Sequence, residues 1–243
     1  MMNNMIQLMK QLSTKLSPGI YTSSQQQSRA DQLAHVREIQ RQLKQYDVID
    51  QPLLTLPFVV FDLETSGFNP DVGDSILSIG AIKMKGVEIR EEHTFYSTVQ
   101  PKKQPSEEIL ALTGLTNEEL VASPTLAEVL PSFYQFMGES TLVAHHASHE
   151  KRFMAHATWQ TLRLTFQHRL VDTSFLTRVV APDENLVTLD ECCAYYQIET
   201  QNRHHAMADA VLAAKLWRSN LLKAEEMGFR TLRDIYVYLA KGK

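Results

Sequence analysis

Two carboxylates, two residues apart, are the first candidates for chemistry in this sequence. Asp62 and Glu64 end an apolar run that begins at Phe58. Residues two apart in a strand point to the same face, so the two carboxylates would lie side by side. Such a pair is costly unless a cation lies between them, and carboxylate oxygens suit Mg²⁺ or Mn²⁺. A lone pair of this kind is also compatible with two solvated acids, but the Thr65-Ser66-Gly67 turn adds hydroxyl and N–H groups beside it.

A histidine and an aspartate, five residues apart, form the second candidate. Asp209 lies in the first turn of a segment with a long apolar helical stripe, which Gly228 ends. His204 lies on the loop before that segment and can reach the space above Asp209. An imidazole near metal-bound water accepts a proton at neutral pH. Taken alone, His204 is better explained as a surface histidine of the loop.

A histidine-rich stretch, AHHASHEKRF at 144–153, is the third candidate. His145 and His149 are four residues apart, and so are His146 and Glu150, which is the spacing of a zinc-binding helix face. The order HEKRF is not H-E-x-x-H, however, and no further ligand set nearby completes a closed site. Zinc hydrolysis is therefore the weaker alternative.

Composition limits the class of protein. A chain of 243 residues fits one domain with or without an appendage. A net charge of −4 argues against a broad basic surface that coats duplex nucleic acid, but not against an enzyme that grips one strand end through metal ions. No run reaches the ~18 apolar residues of a membrane span. Cys192 and Cys193 are adjacent in the sequence, so a disulfide between them could not link distant elements. From these two observations we predict a cytoplasmic protein without a membrane partner.

The composition changes near residue 55, which predicts two parts. Residues 1–54 are rich in Gln, Ser, Lys and Arg, and 28–46 carries apolar residues at helical spacing. We predict a helical N-terminal extension at 1–54 and a domain at 55–243. The extension would pack on the domain, on a protein partner or on a second copy.

The domain has strand patterns followed by alternating strands and helices. Three strand-like runs, the last two joined by the hairpin residues 85–87, precede a helix start at Ser123-Pro124. Two more strands alternate with helical patterns. This order predicts an α/β fold with a mixed sheet and helices on its faces. The predicted strands are 58–62, 75–84, 88–99, 141–147 and 169–175.

Three segments in sequence order resemble one family. FDLETSG (61–67), AHHASHE (144–150) and HHAMADA (204–210) resemble the three motifs of the DEDDh 3′–5′ exonucleases. That family includes the epsilon proofreading subunit of bacterial DNA polymerase III. The resemblance covers about residues 57–222 and implies a ribonuclease H-like fold, with an antiparallel meander followed by parallel strands.

The resemblance also implies an activity and roles for residues. It implies removal of nucleoside 5′-monophosphates from the 3′ end of DNA, single-stranded in preference, with two Mg²⁺ or Mn²⁺ ions as cofactors. His204 takes the position of the general base. Thr65, Phe68 and His146 take positions near the terminal nucleotide. The acids at metal-ligand positions are Asp62, Glu64, Glu150 and Asp209.

Glu150 departs from the family pattern, which has aspartate at this position. Glutamate keeps the charge but moves the carboxylate on the order of 1–1.5 Å along a more flexible stem. Three outcomes stay open: a working site with a changed metal preference, a slower enzyme, or a binding module that does not cut. RNA stays open as a substrate, because nothing in the sequence reads the 2′-hydroxyl.

Overall fold

The computed structural model describes residues 18–45 and 47–241, with side chains from residue 29 onward. The helix predicted at 28–46 is observed as α1 (Pro18–Gln45), which begins ten residues earlier. Residues 1–17 of the predicted extension, and Tyr46, lie outside the described residues. No helix in the described part of the chain combines the length and apolar character of a membrane span.

A five-stranded mixed sheet forms the centre of the fold, as predicted. Its strand order is β3-β2-β1-β4-β5. The first three strands pair antiparallel, whereas β4 pairs parallel with β1 and β5 pairs parallel with β4. The strands are β1 (Pro57–Thr65), β2 (Ile76–Lys85), β3 (Glu88–Thr98), β4 (Thr141–Ala144) and β5 (Leu170–Asp172).

Eight helices follow α1 along the described chain. They are α2 (Glu107–Thr113), α3 (Asn117–Ala122), α4 (Leu126–Met137), α5 (Ser148–Leu162), α6 (Thr173–Val180), α7 (Leu189–Tyr195), α8 (Ala206–Glu226) and α9 (Leu232–Ala240).

Several predicted boundaries besides the start of α1 were wrong. Strand β4 ends at Ala144 rather than at residue 147. Helix α4 begins at Leu126 rather than after Ser123, because Thr125 forms a full capping box with Glu128. The Ser123 hydroxyl instead contacts Thr98 and the carbonyl of Glu119. The strand predicted at 169–175 spans only β5, because the Asp172 carboxylate accepts from the Ser174 N–H at 2.8 Å and starts α6.

Alternating residues of β1 supply two cores, one on each face of the sheet. Phe58 and Val60 face α8, where the ring of Phe58 lies edge-on to Trp217 with centroids 5.6 Å apart. Val59 and Phe61 face α1, α4 and α5 on the other side. Each of these strand side chains is fully buried, and burial of one such side chain stabilises by about 1.5–3 kcal/mol. Asp62 and Glu64 continue the alternation on the α8 face.

Helix α1 packs into the same core as α4. Val36 and Ile39 are buried within it, and the side-chain amide of Gln40 donates to the Thr165 carbonyl at 2.7 Å. The opposite face of α1 is exposed from residue 29 onward. The division of the chain at residue 54 stays a prediction.

Candidate active site

Three of the predicted acids lie together at the end of β1. The carboxylate oxygens of Asp62, Glu64 and Asp209 lie within 4.8 Å of one another; we call these residues the three-acid group. Strand pairing places Asp62 opposite Gly80 on β2. A Cβ at Gly80 would collide with main-chain atoms of Ala206 and Met207. The first turn of α8 therefore lies directly on β2, and Asp209 reaches the carboxylates of β1.

The site concentrates negative charge where water is scarce. Removal from water, followed by repulsion from Glu150, Glu64 and Asp209, raises the pKa of Asp62 well above its usual value. The same two causes, with Asp209 as the neighbour, raise the pKa of Glu64 to about 7. Oδ1 of Asp209 is buried and has no hydrogen-bond partner. Oxygen donors held close together with an unpartnered buried oxygen fit a hard divalent cation.

Glu150 lies near the three-acid group but is not a member of it. It stands in the first turn of α5, is 3% exposed, and its Oε2 has no hydrogen-bond partner. Burial, with repulsion from Asp172 and Glu64, raises its pKa to about 8. The Glu150 carboxyl is therefore buried close to the three-acid group. Its role as a metal ligand stays a prediction.

His204 lies on the loop before α8, as predicted, and is exposed. Its main-chain N–H donates to Oδ2 of Asp209 at 3.1 Å. Its φ of +63° is in the left-handed region, which an L residue adopts at a cost. The structure therefore ties the predicted base to Asp209 through the main chain and leaves the imidazole accessible.

This arrangement agrees with a comparison of sequences. The family model described as RNase_T, Exonuclease, matches residues 59–217. The chain belongs to this exonuclease family.

Relatives of the exonuclease family include two bacterial polymerase proteins. The DNA polymerase III subunit epsilon of Aquifex aeolicus (strain VF5) is 34% identical over 194 residues, which are 79% of this chain and 93% of that protein. The DNA polymerase III PolC-type of Caldanaerobacter subterraneus subsp. tengcongensis is 33% identical over 178 residues, 73% of this chain. The matched part spans only 12% of that longer protein.

A solved exonuclease shares the fold. Exonuclease X in complex with 5′ overhanging duplex DNA superposes with a TM-score of 0.57 and 20% identity, over 74% of this chain and 99% of that one. This likeness confirms the ribonuclease H-like fold that the resemblance implied.

The end of β1 and the turn after it hold two of the predicted substrate-contact residues. The Thr65 hydroxyl donates to the carbonyl of Gly67 at 2.7 Å and lies 3.2 Å from Nε2 of His149. Phe68 is 85% exposed, with its ring edge-on to that of His149 at 6.0 Å. A large aromatic side chain this exposed is available to contact a ligand. His146 is exposed after β4, with a left-handed φ of +58°.

The histidine stretch does not form a zinc site. His145 is buried, with Nδ1 2.6 Å from the Thr173 hydroxyl and Nε2 3.1 Å from the Val187 carbonyl. Burial is the main cause that lowers its pKa to about 4. Both nitrogens already have partners, so His145 is a neutral structural residue that joins β4 to α6. The candidate metal group among the described side chains contains no histidine.

Two residues of the site were missed in the sequence. Arg203 forms an ion pair with Asp209. Its position directly before His204 was the feature of the sequence from which a role at the site could have been predicted. Tyr96 stacks on His205, with centroids 4.9 Å apart and planes 18° apart. No signal predicted that stack, because it depends on the pairing of Tyr96 with Gly80 across β2 and β3.

Proposed function

We propose that the chain is a 3′–5′ exonuclease that releases nucleoside 5′-monophosphates from the 3′ end of DNA, with single-stranded ends preferred. The observation that carries this proposal is the three-acid group, in which Asp209 also binds the main chain of His204. Membership of the exonuclease family supports the reaction class.

We propose two divalent ions, Mg²⁺ or Mn²⁺, as cofactors. Asp62, Glu64 and Asp209 would hold them, with Glu150 as the fourth acid. When bound, such a pair supplies charge stabilisation to the attacking and leaving oxygens of an in-line displacement. Burial, followed by repulsion between the acids, raises the pKa values of Asp62 and Glu64. These shifts support the assignment, because a cation relieves the cost of ionising both groups.

His204 is the proposed general base, which takes the proton of the attacking water. Its exposure leaves the imidazole accessible to substrate. Its main-chain bond to Asp209 keeps it beside the acids. A base positioned in this way contributes about 10²–10⁴-fold to a rate.

The turn after β1 is the proposed binding surface for the terminal nucleotide. The exposed ring of Phe68 offers a face for a base, and Thr65 a hydroxyl and main-chain groups. His146, exposed after β4, is proposed as a further contact. Aromatic stacking is tolerant of base sequence, which suits an enzyme that removes any nucleotide.

DNA is the proposed substrate because the relatives named above are DNA polymerase III proteins. RNA is the alternative, since no residue of the site is assigned to the 2′-hydroxyl. We also propose residues 1–54 as a region for contact with a protein partner or a second copy, ahead of the exonuclease domain at 55–243. The exposed outer face of α1 supports that role.

One observation favours a second candidate function. Glu150 is buried outside the three-acid group, with a pKa of about 8. If its longer side chain does not serve the metal, the chain is a catalytically weak module that binds nucleic-acid ends.

The test is a degradation assay on 5′-labelled single-stranded DNA, duplex DNA and short RNA, with Mg²⁺ or Mn²⁺. The proposal expects products shortened from the 3′ end, 5′-monophosphates, and loss of activity in Asp62→Ala. Binding of labelled DNA without cleavage, and a gain of cleavage in Glu150→Asp, would instead support the binding module. Equal rates in wild type and Asp62→Ala would refute the enzyme.

A further inference from the structure

Arg203 is a charged residue of the site that the proposed reaction does not yet use. Its Nε donates to Oδ1 of Asp190 at 2.9 Å, at the start of α7. Its Nη1 forms an ion pair with Oδ2 of Asp209, at the start of α8. The Arg203 side chain is 25% exposed and that of Asp209 7%. One guanidinium thus joins two helix starts, one of which carries an acid of the three-acid group.

The two oxygens of Asp209 have different surroundings. Oδ2 forms the ion pair with Nη1 of Arg203 and accepts a hydrogen bond from the main-chain N–H of His204. Oδ1 is buried without a partner. A buried carboxylate oxygen without a partner is costly, and a cation held with Asp62 and Glu64 would satisfy it.

The backbone around Arg203 turns its side chain inward. Asn202 and His204, on either side, both have left-handed φ values, +52° and +63°. His204 is exposed, whereas Arg203 reaches back to Asp190 and Asp209. Two left-handed residues in one short loop cost free energy, and the two ion pairs of Arg203 offset that cost.

We propose that Arg203 is a positioning residue for the metal site. It holds Oδ2 of Asp209, and so presents Oδ1 to the cation and fixes the loop that carries His204. This inference rests on the proposed function, because it assigns Asp209 to metal binding. Partners of this kind, which orient a ligand without touching the metal, are worth about 10- to 100-fold in metal affinity.

The opposite role for Arg203 makes the opposite prediction. A guanidinium that occupies the place of the cation would compete with it, and its removal would tighten metal binding. The contacts favour positioning, because Arg203 binds Oδ2 while the unpartnered oxygen is Oδ1.

The experiment measures Mn²⁺ binding to the full chain by calorimetry, without nucleic acid, in wild type, Arg203→Met and Arg203→Lys. Arg233→Met is the matched control, since it also removes an arginine–aspartate pair, with Asp50, at exposed residues of α9 and its neighbouring loop. We expect about 10- to 100-fold weaker binding for Arg203→Met, a smaller loss for Arg203→Lys, and no more than about a twofold change for the control. Lysine keeps the charge but cannot span both aspartates with a planar fork.

Melting curves of the metal-free proteins show whether a variant that binds Mn²⁺ weakly is still folded. If Arg203→Met is unfolded, Arg203→Lys carries the test, with weaker Mn²⁺ binding expected at an unchanged melting temperature. Equal or tighter binding by a folded variant would overturn the inference, as would a wild type that binds no Mn²⁺. A wild type that binds Mn²⁺ but does not degrade DNA would refute the proposed function and leave the role of Arg203 measurable.

Discussion

The main-chain N–H of His204 donates to Oδ2 of Asp209 across 3.1 Å, so the proposed base is anchored by a proposed metal ligand. The bond holds His204 in a left-handed conformation that would otherwise cost about 1–2 kcal/mol. Only the main chain of the histidine takes part. Removal of its imidazole should therefore leave the acids in place and affect the proton transfer alone.

His204→Ala should lower kcat by about 10²–10⁴-fold while KM and the Mn²⁺ binding constant stay near those of wild type. His205→Ala is the matched control, because it removes the neighbouring imidazole of the same loop. The ring of His205 stacks on Tyr96 of β3. Rates of nucleotide release, compared with calorimetric Mn²⁺ titrations, check the prediction. A loss as large in His205→Ala as in His204→Ala would contradict the assignment of the base.

The metal-free protein should lose stability as the pH rises from about 6.5 to 8. Below pH 6.5 the buried His145 and His168, whose pKa values are lowered to about 4, contribute with the opposite sign. In the folded state burial raises the pKa of Glu150 from 4.5 to about 8 and that of Glu64 from 4.5 to about 7. Between about pH 6.5 and 8 these two carboxyl groups bind more protons in the folded state than in the unfolded state, so the free energy of unfolding falls with rising pH. Urea unfolding in a chelating buffer at pH 5, 6, 7 and 8 measures the slope.

Two comparisons identify the carboxyl groups as the cause. Glu150→Gln should flatten the slope, because an amide does not ionise. Saturating Mn²⁺ should reduce it as well, since a cation offsets the charge of the acids. A slope that Glu150→Gln leaves unchanged would mean that Glu150 titrates at its ordinary pKa.

Residue spacing predicted separate pieces of the site, and the resemblance to the exonuclease family joined them. Asp62 and Glu64 share a face because strand residues alternate, and Asp209 follows from its place in the first turn of an apolar-striped helix. The mixed sheet followed from three strand patterns and then an alternation of strands and helices. These features depend on local periodicity, which a sequence displays directly.

The other contacts of the site join residues that are far apart in the sequence, and residue spacing along the chain does not determine them. The register of β3 brings Tyr96 to His205, and the reach of a flexible side chain joins Arg203 to Asp209 and Asp190. Glu150 was predicted to join the other acids, yet its position depends on one added methylene and its rotamer. The α4 start was wrong because two caps competed locally, and Thr125 made both bonds of the capping box.

Gly80→Ala should destabilise the fold and abolish activity. A Cβ there would collide with main-chain atoms of Ala206 and Met207, which cannot move without lifting α8 off β2. We expect a cost of about 3 kcal/mol. Gly114→Ala is the control: its Cβ meets no atom within 4 Å, and only its φ of +70° is unfavourable, at about 1 kcal/mol. Urea unfolding compares them, and equal costs would contradict the close approach of α8 to β2.

Phe68→Ala should weaken substrate binding without affecting stability. The ring is 85% exposed and meets His149 only edge-on at 6.0 Å, so its removal costs the fold little buried area. Stacking of a base on an aromatic ring is worth about 1–3 kcal/mol, which predicts a KM for single-stranded DNA raised by about 5- to 150-fold.

Val72→Ala, on the turn that follows and 70% exposed, is the control for loss of an exposed apolar side chain. KM and melting temperature check both variants. A KM for Phe68→Ala equal to that of Val72→Ala would remove Phe68 from the binding surface, because the two side chains would then contribute only generic apolar area.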